Sequence, residues 1–443
     1  MNPKNDITAL FKELNLPFYT ASACCEPLVT MASDTYDKRM KDLHEKLYQN
    51  FYDKESTLSE EFRIIKAEAL QLIKGLREGW GERAVEAAWN APDIQMLAAM
   101  ELNIWNFASS KTEARLAAMS ELMIDKTKNG IRSYTDFRAL ASKHIDQFND
   151  AWLKTEYQTA IAVGQGSASF NRSWDDREEF PFWKYQTAGD SNVRDSHARL
   201  NGMVFNINDP AARRLWTPNG YKCRCENIQL PTRPHLSSVS KGSDALKILG
   251  SGFTNSDWNV NRAEAKEVFT QKQRYTRITA LKDKLQKSGY TTYGLPKIEE
   301  IAKGRNPLKL DSTITKSNIK ELFKKDGTTK GGANYMGFSD YMGRRMILKE
   351  SIFKKHTTGK RYLEENRHQQ FGKLNEVLTR PDEVWIKPYE GEFDAVYLKF
   401  YGDKTLVVNT SLQNEYINIG TWFELDKNEK SIRKGMEIKR EKY

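Results

Sequence analysis

The stretch that decides the fold runs from Asp190 to Pro231 and reads DSNVRDSHARLNGMVFNINDPAARRLWTPNGYKCRCENIQLP. Glycine, proline, asparagine and aspartate are frequent in it, and its apolar runs are short. These residues end helices and form turns, so the composition is typical of a loop-rich module. We predict a small α+β core over residues 180–235, between two regions of different character.

The region before this core, residues 1–179, predicts an elongated, mainly α domain. Thr35–Phe51 is a charged periodic run, and apolar residues between Ser59 and Glu78 recur at the three-to-four spacing of a helix stripe. Further helices are predicted from Pro92 through Phe107, over Thr112–Lys128 with a C-cap at Asn129–Gly130, and from Ser133 or Thr135 to Gly164.

The region after the core predicts two more parts, which makes the chain multidomain. Residues 236–335 are polar and punctuated by glycine, and we interpret them as a basic linker with one helix, Arg262–Lys287. Residues 336–443 predict an α+β domain with two helices and a three- to four-stranded antiparallel sheet. The helices are Met346–His356 and Tyr362–Leu378, and the strands are Glu383–Lys387, Ala395–Tyr401, Thr405–Asn409 and Tyr416–Phe423.

Charge is concentrated in one part of the chain. The 443 residues carry a net charge of +10, and residues 301–360 hold 14 Lys and Arg but only five acidic residues. A local basic surplus favours a polyanionic partner such as RNA or packaged DNA. The alternative is a solvated linker beside a basic helix.

The apolar content and the cysteines narrow the class of protein. Hydrophobic residues make up 39% of the chain, and no run is long enough to span a bilayer, so no membrane partner is expected. The cysteines fall into two close pairs, Cys24–Cys25 and Cys223–Cys225. Four cysteines are too few to form a disulfide scaffold in a chain of this length. We therefore expect either reduced thiols or a metal site.

The second cysteine pair offers metal ligands. Cys223 and Cys225 thiolates with the His197 imidazole suit a structural zinc ion, with Asp190, Asp195 or water as the fourth ligand. Apart from this zinc, no cofactor is expected. Alternatively, both cysteines are small buried hydrophobes and His197 bonds a backbone carbonyl. A Cys/His nucleophile pair is a further reading, but nothing marks an oxyanion site.

The central stretch resembles a known family. The residues that carry the resemblance are Asp190, Val193, Arg194, His197, Leu200 and Gly202, then Pro218, Cys223–Arg224–Cys225 and Pro231. Their order and spacing resemble the Mu F-like phage head-morphogenesis proteins. The resemblance implies a minor capsid protein that acts with the phage portal protein and capsid in head assembly or DNA packaging. It would lie inside the virion near the portal, and in the host cytoplasm during assembly and after delivery.

The C-terminal part resembles a second family, the phage nucleases of the barnase–EndoU–colicin–RelE type, which are often fused to Mu F-like proteins. The residues that carry this are Lys354-Lys355-His356, Arg361, the segment from Leu374 to Trp385, and Thr421-Trp422-Phe423. The resemblance implies a metal-independent ribonuclease.

Ribonuclease chemistry suggests roles for particular side chains. His356 would act as general base or acid, Arg361 or Lys360 would stabilise the phosphorane, and Thr421 would donate a hydrogen bond to phosphate. Arg344, Arg345, Lys354, Lys355 and Lys360 would hold the RNA backbone. Alternatively, His356 is a surface residue favoured by the helix dipole and Thr421 is only a strand residue. His368 is the second candidate for the proton-transfer residue, after His356, and no histidine follows it in the sequence.

Three functions compete on these observations. The first is a head protein that carries a C-terminal ribonuclease as capsid cargo. The second is a purely structural minor capsid protein whose basic C-terminal part binds nucleic acid or portal without catalysis. The third is a zinc-dependent DNA-processing protein built on His197, Cys223 and Cys225, although no acidic cluster for magnesium lies near them.

Overall fold

The computed structural model describes most of the chain after residue 33. The described residues are 34–81, 92–125, 127, 129–146, 153–231, 239–273, 286, 288–387, 394–413, 416–425 and 429–440. Cys24 and Cys25 lie outside them. Among the described residues, no helix combines the length and the apolar character needed to cross a bilayer.

The N-terminal region is helical, as its periodicity predicts. Its helices are α1 (Asp34–Tyr52), α2 (Leu58–Trp80), α3 (Pro92–Leu122), α4 (Tyr134–Asp146) and α5 (Leu153–Asp175). Helices α2 and α5 approach closely at Gly79 and Gly164, where a Cβ atom would lie within 2.3 Å of a backbone oxygen of the other helix. Glycine at these positions therefore lets the two backbones touch.

Three of the predicted helices differ in the structure, since two of them are joined into one and the third is divided. Helix α3 runs unbroken from Pro92 to Leu122, and the expected C-cap residues instead form a hairpin between β1 (Ile124–Asp125) and β2 (Gly130–Ile131). Asn129 turns this hairpin with a φ of 51°, a conformation that asparagine tolerates. The long helix predicted from residue 133 to Gly164 is two helices, α4 and α5; residues 147–152 lie outside the described part.

The central module is a small mixed unit. Its antiparallel sheet has the order β4-β3-β5, and Trp183 of β3 is fully buried against Trp216. The elements are β3 (Phe182–Gln186), α6 (Asp195–Ala198), β4 (Val204–Asn206), α7 (Pro210–Arg213) and β5 (Glu226–Leu230).

The described residues that follow are packed rather than extended. They include α8 (Gly242–Thr254), α9 (Arg262–Ala265), α10 (Ile298–Ala302) and the 3-10 turns Gln271–Gln273 and Ile319–Leu322. The helix predicted over Arg262–Lys287 ends at Ala265, because Lys266 adopts a left-handed conformation; most of residues 274–287 lie outside the described part. Tyr293 is buried, stacks on Phe62 at 5.1 Å and meets the edge of Trp385 at 5.3 Å.

Among the described residues, the C-terminal sheet has eight strands in the order β13-β9-β10-β11-β12-β8-β7-β6, so the prediction of three or four was wrong. Neighbouring strands are antiparallel except β12 and β8, which pair in parallel at Asn418 and Ile347. The strands are β6 (Gly327–Thr328), β7 (Asn334–Ser339), β8 (Arg345–Lys349), β9 (Glu383–Ile386), β10 (Asp394–Phe400), β11 (Thr405–Gln413), β12 (Tyr416–Glu424) and β13 (Met436–Arg440).

The helices of this region are shorter than predicted. The run Met346–His356 divides into strand β8 and helix α11 (Glu350–Thr358), and Tyr362–Leu378 is broken into several turns. These are α12 (Lys360–Glu364), α13 (Arg367–Gln370), a 3-10 turn at Phe371–Lys373 and α14 (Leu374–Thr379), followed later by α15 (Glu429–Ile432). The prediction of two helices in this region was therefore wrong, because several shorter helices and turns take their place.

One hydrophobic core joins these regions. Buried residues from Phe62 of α2 to Ile438 of β13 form a single connected cluster. Lys66 also forms an ion pair with Glu437 at 3.0 Å. The C-terminal sheet is thus packed on the N-terminal helices. The predicted domain boundaries and the elongated shape of the helical region stay predictions.

Candidate functional site

The first candidate site lies where helix α11 crosses strand β12. His356, near the end of α11, packs its ring against Tyr362 at 4.5 Å and against Trp422 at 5.1 Å. Trp422 in turn donates a hydrogen bond from Nε1 to the Arg367 carbonyl at 2.9 Å. This aromatic packing fixes the helix ends on the sheet and gathers His356, Arg367 and Thr421 in one place.

Arg367 is the centre of the cluster, although the sequence did not single it out. Its Nη1 lies 2.9 Å from Thr421 Oγ1 and 3.1 Å from His356 Nδ1, and its Nε donates to Glu365 Oε2 at 2.6 Å. The guanidinium also stacks on Tyr362, with 4.6 Å from Cζ to the ring centre. Hydrogen bonds through Nε and Nη1, together with the stacking on Tyr362, hold Arg367 in one orientation.

Glu365 bridges two arginines. It accepts from Arg367 on one oxygen and from Arg361 Nε on the other, at 3.0 Å. Between Glu365 and Arg367, Asn366 adopts a left-handed conformation with φ of 55°, which turns the chain so that both neighbours meet. The two guanidinium groups hold the pKa of Glu365 below its ordinary value against the opposing effect of burial, so it is ionised at neutral pH.

The cluster borders a pocket of about 790 Å³. Arg361, Glu365 and Arg367 line it together with Lys404 and Phe423. His356 and Thr421 are not among the lining residues and support Arg367 from behind. The pocket thus presents two arginines, a lysine and three glutamates, Glu364, Glu365 and Glu424, and Lys404 forms an ion pair with Glu424.

His356 is buried rather than exposed, with 4% of its surface accessible. Arginine has only donors, so Nδ1 must accept from Arg367 and carry no proton. The ring also hydrogen-bonds the backbone of Gly420, the extra residue of a β-bulge in β12. Burial, followed by the nearby charge of Arg367, lowers the pKa of His356 to about 4. The ring is therefore neutral at physiological pH, with both nitrogens engaged.

The residues predicted to bind the RNA backbone differ in their exposure in the structure. Arg344 is a correction, because it is 5% exposed and its Nε bonds Asp340 at 2.6 Å, which removes it from the surface cations. Arg345 is half-buried on β8. Lys354 is exposed and paired with Glu350 at 2.6 Å, while Lys355 and Lys360 are exposed beside the cluster on α11 and α12. His368, the second-ranked histidine, is buried and does not line the pocket.

The second candidate site is the cysteine pair of the central module. His197 Nδ1 lies 3.5 Å from Cys225 Sγ and 3.8 Å from Cys223 Sγ. All three ligand atoms lie within 4.8 Å of one another. His197 and Cys225 are buried, and Cys223 is half-buried. Hydrogen bonds from Cys225 and His197 hold the pKa of the Cys223 thiol well below its ordinary value.

The aspartates predicted as a fourth ligand lie elsewhere. Asp190 forms a two-pronged ion pair with Arg224, and neither it nor Asp195 belongs to the cluster. Other residues of the quoted stretch hold its loops: Arg194 donates to the Tyr221 carbonyl at 2.5 Å, and Leu200 is buried in the core. Most of the stretch therefore positions the site rather than forming it.

Sequence reasoning placed His356, Arg361 and Thr421 in the same neighbourhood but missed Arg367 and Glu365. Both fall in what reads as a continuous polar helix, where arginine and glutamate are ordinary surface residues. Asn366 was the available signal, because an asparagine inside a helical run marks a break and can adopt a left-handed turn.

Comparison with known proteins finds family matches in two separate parts of the chain. Residues 117–228 match the family described as Phage Mu protein F like protein. Residues 321–438 match the phage-Barnase-EndoU-ColicinE5/D-RelE like nuclease2 family. No solved structure matches this chain.

Two curated relatives are similar to part of the chain. Protein F of Escherichia phage Mu, whose name assigns it to capsid assembly, is 30% identical over 84 residues, or 19% of each chain. The Mu-like prophage FluMu F protein of Haemophilus influenzae is 30% identical over 113 residues, or 26% of this chain and 25% of the relative. The chain thus spans about a fifth to a quarter of the length of these relatives. It joins a Mu F-like phage head-protein region to a nuclease-like region of the phage Barnase–EndoU–ColicinE5/D–RelE type.

Proposed function

We propose that this chain is a minor phage head protein whose C-terminal region cleaves RNA without a metal ion. The observation that carries the catalytic half is the pocket formed by Arg361, Glu365 and Arg367 within the nuclease-like region. The match of residues 117–228 to the Mu F-like family, and the similarity to protein F of phage Mu, support the head-protein half of the proposal. The portal and the capsid would be its partners during head morphogenesis or DNA packaging.

The chemistry follows from the groups that face the pocket. Glu365, ionised and bonded to two arginines, takes the proton from the ribose 2′-OH, and the 2′-oxygen attacks phosphorus. Arg361 and Arg367 stabilise the charge that develops on the phosphorane. As the bond to the 5′-oxygen breaks, that oxygen takes a proton from Lys404, which lines the same pocket.

His356 and Thr421 act through Arg367 in this scheme. The neutral imidazole accepts one guanidinium hydrogen and Thr421 Oγ1 accepts from the same nitrogen, so both set the plane of the arginine. His356 is then a positioning residue and Glu365 is the base. Lys355 and Lys360, exposed on the adjoining helices, would bind the RNA backbone electrostatically.

A position inside the capsid would allow this ribonuclease to act in the next host. A ribonuclease held in the capsid interior near the portal would enter the next host with the genome. In this reading the Mu F-like region anchors the chain in the head, and the C-terminal region is the cargo that acts in the host cytoplasm.

The base is tested by changing Glu365 to glutamine in the full chain. We expect cleavage of total tRNA and mRNA, without added metal, to slow by about 10²–10⁴-fold, the usual contribution of a general base. Gel analysis with time measures the rate. The matched control is Glu364→Gln, because Glu364 lines the same pocket and has no assigned role. Equal rates for Glu365→Gln and wild type would exclude Glu365 as the base.

The shared core favours a second candidate, a purely structural capsid protein. Because the C-terminal sheet packs on the N-terminal helices, this region also contributes to the shape of the whole chain, and it would bind nucleic acid or portal without catalysis. Phage carrying Glu365→Gln separates the two. If the variant particles form normally but no longer degrade host RNA, the result favours the enzyme. If host RNA stays intact after infection with wild-type phage as well as with the variant, the result favours the structural role.

A further inference from the structure

We propose that His197, Cys223 and Cys225 bind a zinc ion that braces the central module. This site is separate from the proposed ribonuclease pocket and does not depend on it. The three side chains come from different places in the module: His197 from helix α6, and the two cysteines from the loop that leads into strand β5. A metal at their meeting point would tie the helix, the loop and the strand together.

The distances fit a tetrahedral metal site. With Zn–S of about 2.3 Å and Zn–N of about 2.0–2.1 Å, tetrahedral angles separate a ligating sulfur from a ligating nitrogen by roughly 3.6 Å. The observed separations from His197 Nδ1 are 3.5 Å to Cys225 and 3.8 Å to Cys223. Thiol–imidazole hydrogen bonds have similar lengths, so the argument for a metal is that all three ligand atoms converge within 4.8 Å of one another.

The surrounding structure holds the ligands in place without the metal. Lys222, next to Cys223, has a positive φ of 57°, which turns the loop so that Cys223 and Cys225 both reach His197. Arg194 fixes the loop through the Tyr221 carbonyl, and Asp190 holds Arg224 between the cysteines. Such preorganisation favours metal binding because little chain entropy is lost on ligation.

Charge and chemistry select zinc. Two thiolates neutralise a divalent cation, and sulfur with imidazole is the donor set that Zn²⁺ prefers over oxygen-seeking magnesium or calcium. Both cysteines line a cavity of about 140 Å³ beside helix α5, which is large enough for a water molecule as fourth ligand. The aspartates are not needed for this set.

Metal analysis of the full chain tests the proposal. After loading with Zn²⁺ and desalting, we expect roughly one zinc ion per chain at a Cys₂His site. Replacing zinc by Co²⁺ should produce the visible bands of tetrahedral cobalt and a thiolate charge-transfer band. The double change Cys24→Ser and Cys25→Ser is the matched control and should keep the metal, whereas Cys223→Ser and His197→Gln should each lose most of it.

Several outcomes would overturn the proposal. They are a wild-type chain that holds no zinc after loading, a Cys223–Cys225 disulfide found by mass spectrometry in place of metal, and zinc retained in full when both Cys223 and Cys225 are serine. The cobalt spectrum is recorded on wild-type protein, so the proposal stays testable even if a variant fails to fold. Failure here would leave the ribonuclease assay unaffected, because the two sites share no residue.

Discussion

Replacing Arg367 by lysine is expected to slow RNA cleavage by about 10²–10³-fold, the loss typical of removing one preorganised donor to a developing oxyanion. Lysine keeps the positive charge but presents it at a single point. It cannot bond Glu365, His356 and Thr421 together as the guanidinium does. The loss should therefore fall on kcat, since the charge that attracts RNA remains.

Arg361→Lys is the matched control for this change. Arg361 bonds the same carboxylate but its side chain is 79% exposed, so its geometry is set less firmly and the loss should be smaller. Single-turnover cleavage of a short RNA measures both variants, and thermal unfolding checks that they are folded. A wild-type kcat in folded Arg367→Lys would show that Arg367 is not part of the reacting centre.

A second large effect is expected at Glu101 of helix α3, which does not line the pocket. Its side chain is 1% exposed and accepts from Arg77 at 2.7 and 2.6 Å. It also lies 3.7 Å from Arg344, which bonds Asp340 in the connection between strands β7 and β8 of the C-terminal sheet. Changing Glu101 to glutamine removes the charge that these arginines share, and we expect the free energy of unfolding to fall by about 3 kcal/mol, the lower end for breaking a buried pair.

Denaturant unfolding of the full chain measures this loss. The matched control is Glu121→Gln on the same helix, because Glu121 is exposed and its change should fall within about 0.5 kcal/mol of wild type. The two regions share one core, so Glu101→Gln should shift the unfolding of the helices and of the sheet together. A variant that lowers the midpoint of only one region would contradict that shared core.

The sequence located the antiparallel strands better than the rest of the sheet. The strands predicted at Glu383, Ala395 and Tyr416 agree with the structure within one residue, because alternation and turn residues mark them. The strand predicted from Thr405 to Asn409 begins at the predicted residue but extends to Gln413. Strand β8 was misread as helix: Met346, Ile347 and Leu348 are all buried, and a short apolar run buried on both faces has no period to distinguish strand from helix. Strands β6 and β7 carry little apolar pattern of their own, and in β13 only Met436 and Ile438 alternate with charged residues, which is too short a run to predict a strand.

In the candidate sites, residue types can be read from the sequence, whereas burial and contacts depend on the tertiary fold. The sequence singles out Cys223, Cys225 and His197 because their residue types are rare and chemically distinctive, and the structure brings their ligand atoms within 4.8 Å of one another. His356 was found for the same reason, yet its burial and its role beside Arg367 depend on Trp422, which is more than sixty residues away in sequence. Arg344 was misjudged because nothing in a basic run reveals which arginine faces a buried acid.

The most direct test of the account asks whether cleavage needs the ribose 2′-OH. The full chain, without added metal, is incubated with an RNA oligonucleotide and with a copy whose nucleotides carry 2′-O-methyl groups. If Glu365 removes the 2′-proton, only the unmodified RNA is cut, and its 5′ fragment ends in a 2′,3′-cyclic phosphate. Equal cutting of both oligonucleotides, or intact RNA after incubation with folded wild-type protein, would contradict the account.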